Sequence, residues 1–240
     1  MLSTPHIPQS GTPLHDRFET VRARVDAAAR DSGRDPASIS ILAVSKGQPA
    51  ARLREAAALG FTAFGENYVA EALPKMRELE GLALDWHFIG RLQANKTRPI
   101  ATHFAWVHGV DRLDIARRLS EQRSHFAPPL NVCVQVNVLG EASKGGVAPD
   151  EVAGLLAALG PLPRLRLRGL MCMLPYGAPA LQQHEGFGLL RRLRDASVAD
   201  GITLDTLSMG MSNDLEAAVA EGSTILRIGT ALFGARATAG

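Results

Sequence analysis

The run SISILAVSKG, residues 38–47, is a short apolar block with no helical period that ends on a lysine and a glycine. Its composition reads as a strand buried on both faces, the kind a parallel sheet contains. An open doubly wound sheet would favour a glycine-rich phosphate loop directly after this strand. Ser45-Lys46-Gly47 supplies no GxGxxG. A closed barrel is therefore expected in place of the open sheet.

The flanking sequence repeats one unit. Before the run, Leu14, Phe18, Val21, Val25 and Ala28 fall at helical spacing. After it come helical AARLREAAALG (50–60), stopped by Gly60, then strand-like FTAFG (61–65) and helical NYVAEALPKMREL (67–79). LDWHFIG (84–90) is a third strand, followed by a short helical piece from Arg91. AWVHGV (105–110) is a fourth, with Asp111 expected to cap a helix through about Arg123. LNVCVQVNV (130–138) is the clearest strand, and Pro149 suits the first turn of a helix running to Leu159. LRLRGLMCML (165–174), a helix from Leu181 to Val198, and TLSMG (206–210) continue the alternation. A helix from about Ser212 to Glu221 and TILRIG (224–229) complete it. Eight strands alternating with helices predict a single-domain α/β fold, a (β/α)8 TIM barrel.

Composition agrees. The chain has 240 residues, 46% hydrophobic and 21% charged, which excludes disordered and collagen-like classes. Its 26 basic and 24 acidic residues leave +2, too little for a nucleic-acid or anionic-membrane field, and aromatics are only 5%. No run reaches the roughly 18 apolar residues of a membrane span. MLSTPHIPQSGTPLH has no apolar signal core, so residues 1–13 are expected as a loose tail. The barrel is expected over 14–236, with 237–240 as a second tail and a cytoplasmic location. Cys133 and Cys172 lie in apolar runs as small core residues without metal-ligand spacing.

In such a barrel, chemistry sits at the carboxyl ends of the strands. Those positions here are Lys46, Gly65-Glu66-Asn67, Gly90-Arg91, Asp111-Arg112, Asn137, Met171 to Met173, Ser208 to Ser212, and Arg227 to Thr230. A lysine in a partly dry barrel mouth is a competent nucleophile for a carbonyl; taken alone, Lys46 reads first as a strand-end lysine snorkelling to water. MGMSND (209–214) and RIGT (227–230) follow strands seven and eight, where barrels often hold phosphate. Gly210 and Gly229 would leave backbone N–H groups unobstructed, Met209 opens the same turn, and Ser212 or Thr230 could add a hydroxyl. Against this, Asp214 and Glu216 fit an ordinary Ser-capped helix start. An imine-forming lysine beside a phosphate cup suits a phosphorylated aldehyde, with pyridoxal 5′-phosphate the common biological case and a phosphosugar the competing one. Arg227 at the pyridine nitrogen would leave that nitrogen unprotonated and weaken the electron sink. His87 and His108 read as satisfied core histidines, and no metal site is expected.

The segments LAVSKGQP (42–49), FGENYVAEALPK (64–75), WHFIGRLQANK (86–96), VNVLGEASKGG (137–146), GLMCMLP (169–175), LSMGMSNDLEAAVAEGST (207–224) and RIGTALFGAR (227–236) together carry a family likeness. It resembles the YggS/PROSC family of pyridoxal phosphate homeostasis proteins over roughly residues 15–236. The resemblance implies a barrel of the alanine-racemase N-terminal-domain type, fold type III, with Lys46 holding pyridoxal 5′-phosphate as a reversible Schiff base. It implies further that Ser212, Gly229 and Thr230 hold the phosphate, that Arg227 lies near the pyridine nitrogen, and that Asn67 belongs to the cofactor wall. Lys144, in GEASKGG, is implicated in cofactor transfer or allosteric handling. Many members carry a second lysine two positions after the first, where this chain has Gln48. That departure touches any relay through the second amine and leaves the imine unaffected.

Two functions compete. A pyridoxal phosphate-dependent amino-acid racemase needs acid–base groups on both cofactor faces. In alanine racemases the second is a tyrosine in a dimer with an extra β-rich domain, for which this chain has no room; it has only Tyr68 and Tyr176. A non-catalytic carrier that supplies or buffers the cofactor for apo-enzymes needs no second base. The resemblance favours the carrier, with a monomer as the simplest state.

Overall fold

The computed structural model describes residues 12–141 and 145–234. The eight expected strands form β1 (Ser40–Val44), β2 (Ala63–Glu66), β3 (Asp85–Phe88) and β4 (Trp106–Val110), then β5 (Leu130–Gln135), β6 (Leu165–Met171), β7 (Thr206–Ser208) and β8 (Ile225–Ile228). They pair in sequence order, all parallel, into a closed barrel. Closure comes from β8 returning to β1, with Leu42 opposite Arg227 and Ala43 opposite Ile228. Strands one and eight are thus neighbours, as the barrel requires.

Helices α1 (Leu14–Asp31), α2 (Ala50–Ala58), α3 (Val69–Glu78), α4 (Thr97–His103) and α5 (Leu113–Gln122) surround the first half. Around the second are α6 (Val152–Leu159), α7 (Ala180–Ala199), α8 (Leu215–Ala220) and α9 (Thr230–Phe233). The α1 stripe behaves as its spacing predicts: Leu14, Val21, Val25 and Ala28 are buried, and Phe18 meets Phe61 edge-on at 4.8 Å. Pro149 opens a 3₁₀ turn, Pro149–Glu151, that runs into α6.

Two local expectations need correction. Asp111 does not cap α5: Arg112 occupies that position and its guanidinium takes the Asp111 carboxylate at 3.0 Å. The helix expected from Ser212 starts at Leu215, because Asp214 turns back to accept the Met211 N–H and holds residues 211–214 in a turn.

The main core is the ring between strands and helices, where Phe64, Phe104, Phe187 and Leu53 are completely buried. A second, smaller apolar cluster, Leu42, Val44, Ile89 and Ile225, packs apart from it, with Ala63 and Trp106 against it. Cys133 and Cys172 are wholly buried, and burial pushes both thiols up to about 12, so they are inert core residues at neutral pH. Among the described residues, no helix is long and apolar enough to cross a membrane.

Candidate functional site

The strands end and the chain turns at one face, and a cavity of about 290 Å³ opens there. Its wall takes Lys46 from beyond β1, Asn67 from beyond β2, Ile89 from beyond β3, and Ser212 from beyond β7. Arg227, Gly229 and Thr230 come from β8 and its end. Lys46 is half-buried at the mouth. Six residues singled out from sequence thus meet in one space at the low end of small-molecule pocket sizes.

Ser212 has an unexpected partner. Its Oγ accepts the Ala231 N–H at 3.2 Å, so it caps α9 in place of its own helix and ties the loop after β7 to the end of β8. From outside, Arg24 of α1 donates to the Ser212 carbonyl at 3.0 Å and to Glu216 at 2.8 Å. Glu216 is therefore engaged away from the cavity. Asp214 does line it, but burial holds its carboxyl above the usual range.

Arg227 is buried beneath Lys46 and fully directed. It donates to the Ser208 carbonyl at 2.6 Å and Oγ at 2.8 Å, and to the Cys172 carbonyl at 2.8 Å. A guanidinium has no acceptor, so Ser208 Oγ accepts there and its own proton is available to His108 Nδ1, 2.7 Å away. His108 then carries its proton on Nε2 and donates to His87 Nδ1 at 2.9 Å. Both imidazoles are neutral: burial drives His87 down to about 3, while burial, His87 and Arg227 hold His108 well below its ordinary value. His87 stacks on Trp106, and Arg168 lies 4.5 Å over the Trp106 ring. The two histidines are satisfied interior residues, as expected.

Other expected residues lie elsewhere. Met209 is completely buried in the core and is absent from the cavity wall. Gly210 is also absent from it; at φ +95° with Ala218 Cβ 2.5 Å from any added Cβ, it serves the turn. Arg91 is exposed, Asp111 and Arg112 pair with each other, and Asn137 holds the Glu141 backbone. Lys144 falls outside the described residues. Conversely, the loop Pro175–Ala178 and Gln183 of α7 form a cavity wall that the sequence reading left out, apart from Tyr176. The PYG turn after strand six was the available signal.

Gly90 shows how tightly the mouth is joined. A Cβ there would lie 2.1 Å from the Asn67 carbonyl oxygen, backbone against backbone. Gly90→Ala is expected to destabilise the protein by about 3 kcal/mol, measured as a fall in the urea midpoint. Gly154→Ala, at an exposed position of α6 with open space around it, should raise stability by about 0.5–1 kcal/mol, seen as a higher midpoint. Equal midpoints for Gly90→Ala and wild type would remove the close-approach argument.

The architecture defines a single barrel with a lysine at its mouth, a buried arginine below and a Ser/Gly/Thr wall beside it. Residues 20–237 match the family described as alanine racemase, N-terminal domain. The pyridoxal phosphate homeostasis protein of Pseudomonas aeruginosa is 60% identical over 223 residues, covering 93% of this chain and 96% of that one. The Escherichia coli K12 protein of the same name is 49% identical over 222 residues, covering 90% and 94%. PipY of Synechococcus elongatus, solved with PLP bound, superposes with a TM-score of 0.82 at 37% identity, covering 92% of this chain and 100% of that one. The chain belongs to the pyridoxal phosphate homeostasis protein family.

Proposed function

We propose that this protein binds pyridoxal 5′-phosphate in the barrel-mouth cavity and stores or supplies it, with Lys46 as the reversible covalent anchor. The observation that carries this reading is the meeting of Lys46, Ser212, Arg227, Gly229 and Thr230 in one cavity. The donor set suits the ligand: an amine for the aldehyde, and hydroxyls with an unobstructed glycine for a phosphate. Asn67 Oδ1 is a buried acceptor with no hydrogen-bond partner, which a ligand donor would satisfy. When bound, the cofactor supplies an aldehyde that a lysine takes up and releases by hydrolysis. Arg227, committed to three acceptors below, presents a fixed cation to the cavity. Support also comes from the PLP-bound relative.

The role is that of a non-catalytic cytoplasmic carrier, monomeric, that passes the cofactor to apo-enzymes. Lys144 remains part of this proposal as a transfer residue, and Met209 and Gly210 as supports beneath the phosphate side. An absorption spectrum before and after borohydride, followed by peptide mapping, tests the binding reading. A visible band fixed by reduction on Lys46 is expected; no band with excess cofactor would point to a phosphosugar site. Thr230→Val should weaken retention by about 0.5–1.5 kcal/mol, roughly two- to twelvefold in Kd, without abolishing attachment. An unchanged Kd would remove the Thr230 hydroxyl from the phosphate site.

One observation favours a second reading, an amino-acid racemase: Tyr176 lines the cavity at its rim, 87% exposed, where a second acid–base group would be needed. Exchange of the α-hydrogen of some amino acid over many equivalents per site would support it. Failure across a broad panel would leave the carrier.

A further inference from the structure

A buried ion cluster lies behind the cavity wall, between β1, β2 and α3. Lys75 of α3 directs its ammonium to three acceptors: the Ser45 carbonyl at 2.8 Å, Glu66 Oε1 at 2.7 Å and Glu71 Oε1 at 2.6 Å. Glu66, with a wholly buried side chain, also accepts from Ser45 Oγ at 2.6 Å, and Glu71 accepts the Gly47 N–H. The residues on either side of Lys46 are thus held by one lysine and two carboxylates. Lys46 itself lies two residues past the end of β1, beyond the strand's own hydrogen-bond ladder.

We infer that Lys75, with Glu66 and Glu71, is a positioning residue that sets the approach of the Lys46 amine to an aldehyde bound in the cavity; this rests on the reading of Lys46 as the anchor. A buried ion cluster contributes little net stability compared with apolar packing of the same volume, and here Glu66 Oε2 is left without a partner. Its consequence is geometric. Five hydrogen bonds converge on the cluster from Ser45, Gly47 and Lys75, and they fix the backbone on both sides of one side chain. Attachment joins the lysine nitrogen to the aldehyde carbon and releases one water, with no oxidant or reductant. Its rate depends on the reacting atoms being aligned, and a misplacement of about 1 Å costs on the order of a hundredfold. The cluster touches neither Ser212 nor Thr230, so binding of the phosphate end does not depend on it.

The test separates those two ends of the ligand. Cofactor-free wild type, Lys75→Met and Glu71→Ala are mixed with pyridoxal 5′-phosphate, and the rate of covalent attachment is followed by absorbance at saturating ligand. Pyridoxine 5′-phosphate, which lacks the aldehyde, is titrated separately by calorimetry. Lys75→Met should slow attachment at least tenfold while the Kd for pyridoxine 5′-phosphate stays within twofold. Glu71→Ala frees Gly47 while leaving Lys75 with Glu66 and Ser45, so it reports on the idea even if Lys75→Met does not fold, with a slowing of at least threefold. Unchanged attachment rates in folded variants would overturn the inference, as would equal losses in rate and analogue affinity, which mark a general collapse of the mouth. Wild-type protein that binds pyridoxine 5′-phosphate but never attaches the aldehyde would overturn the Lys46 reading itself.

Discussion

Lys46→Ala protein is expected to carry no cofactor fixed by borohydride, while its circular dichroism and unfolding midpoint match wild type. The side chain is half-buried at the mouth, past the end of β1, and belongs to neither apolar cluster. Its removal therefore leaves the barrel intact, with a stability change of about 0.5 kcal/mol or less. The Ser212, Gly229 and Thr230 wall remains, so noncovalent binding of pyridoxal 5′-phosphate should persist at reduced affinity. Full-stoichiometry trapping in the variant, mapped to another lysine, would reassign the anchor.

The second large effect is loss of stability in mild acid. His87 titrates near 6.5 in the unfolded chain and at about 3 in the barrel, and His108 is likewise held well below its ordinary value. As pH falls below 6.5 the unfolded chain takes up protons that the folded barrel refuses, so stability declines with falling pH. The His87 contribution declines down to about pH 3. At pH 5 the His87 imidazole accounts for a loss of about 2 kcal/mol relative to neutral pH, and His108 adds a loss of the same sign. Glu66 and Asp214, whose carboxyls burial holds up, bind protons more readily in the folded state and offset part of the loss at the acid end. Urea unfolding at pH 7.5 and pH 5 measures the difference, and His87→Phe should reduce the slope. A flat profile over that interval would mean the two rings are not buried neutral.

The alternation of apolar runs and helical stripes was enough to read the barrel, because each β/α unit writes its own period. The anchor, arginine and phosphate-side candidates were legible for a related reason: strand ends can be located in sequence, and a barrel gathers them. Boundaries were less legible. LNVCVQVNV extends past the last paired residue, Gln135, because the chain leaves the sheet at Val136 to bridge Val147. Ser212 looked like the cap of its own helix, since its true partner, the Ala231 N–H, lies 19 residues away. The line from Arg227 through Ser208 and His108 to His87 crosses four strands, and no periodicity tells which inward side chains meet once the sheet closes. Glu66 and Lys75 are nine residues apart on a strand and a helix, so their pairing depends on a packing angle that local pattern does not carry.

The division of the apolar core has a consequence for how the molecule tolerates its cargo. Among the described residues most of the buried hydrocarbon lies in the outer ring, and the separate cluster of Leu42, Val44, Ile89 and Ile225 is small. Such a vessel has its strength in the wall, and its contents complete no layer of the fold. Charging it with ligand should raise the melting temperature only by mass action, with the logarithm of ligand concentration. The discharged form then remains a folded barrel, ready to be filled again.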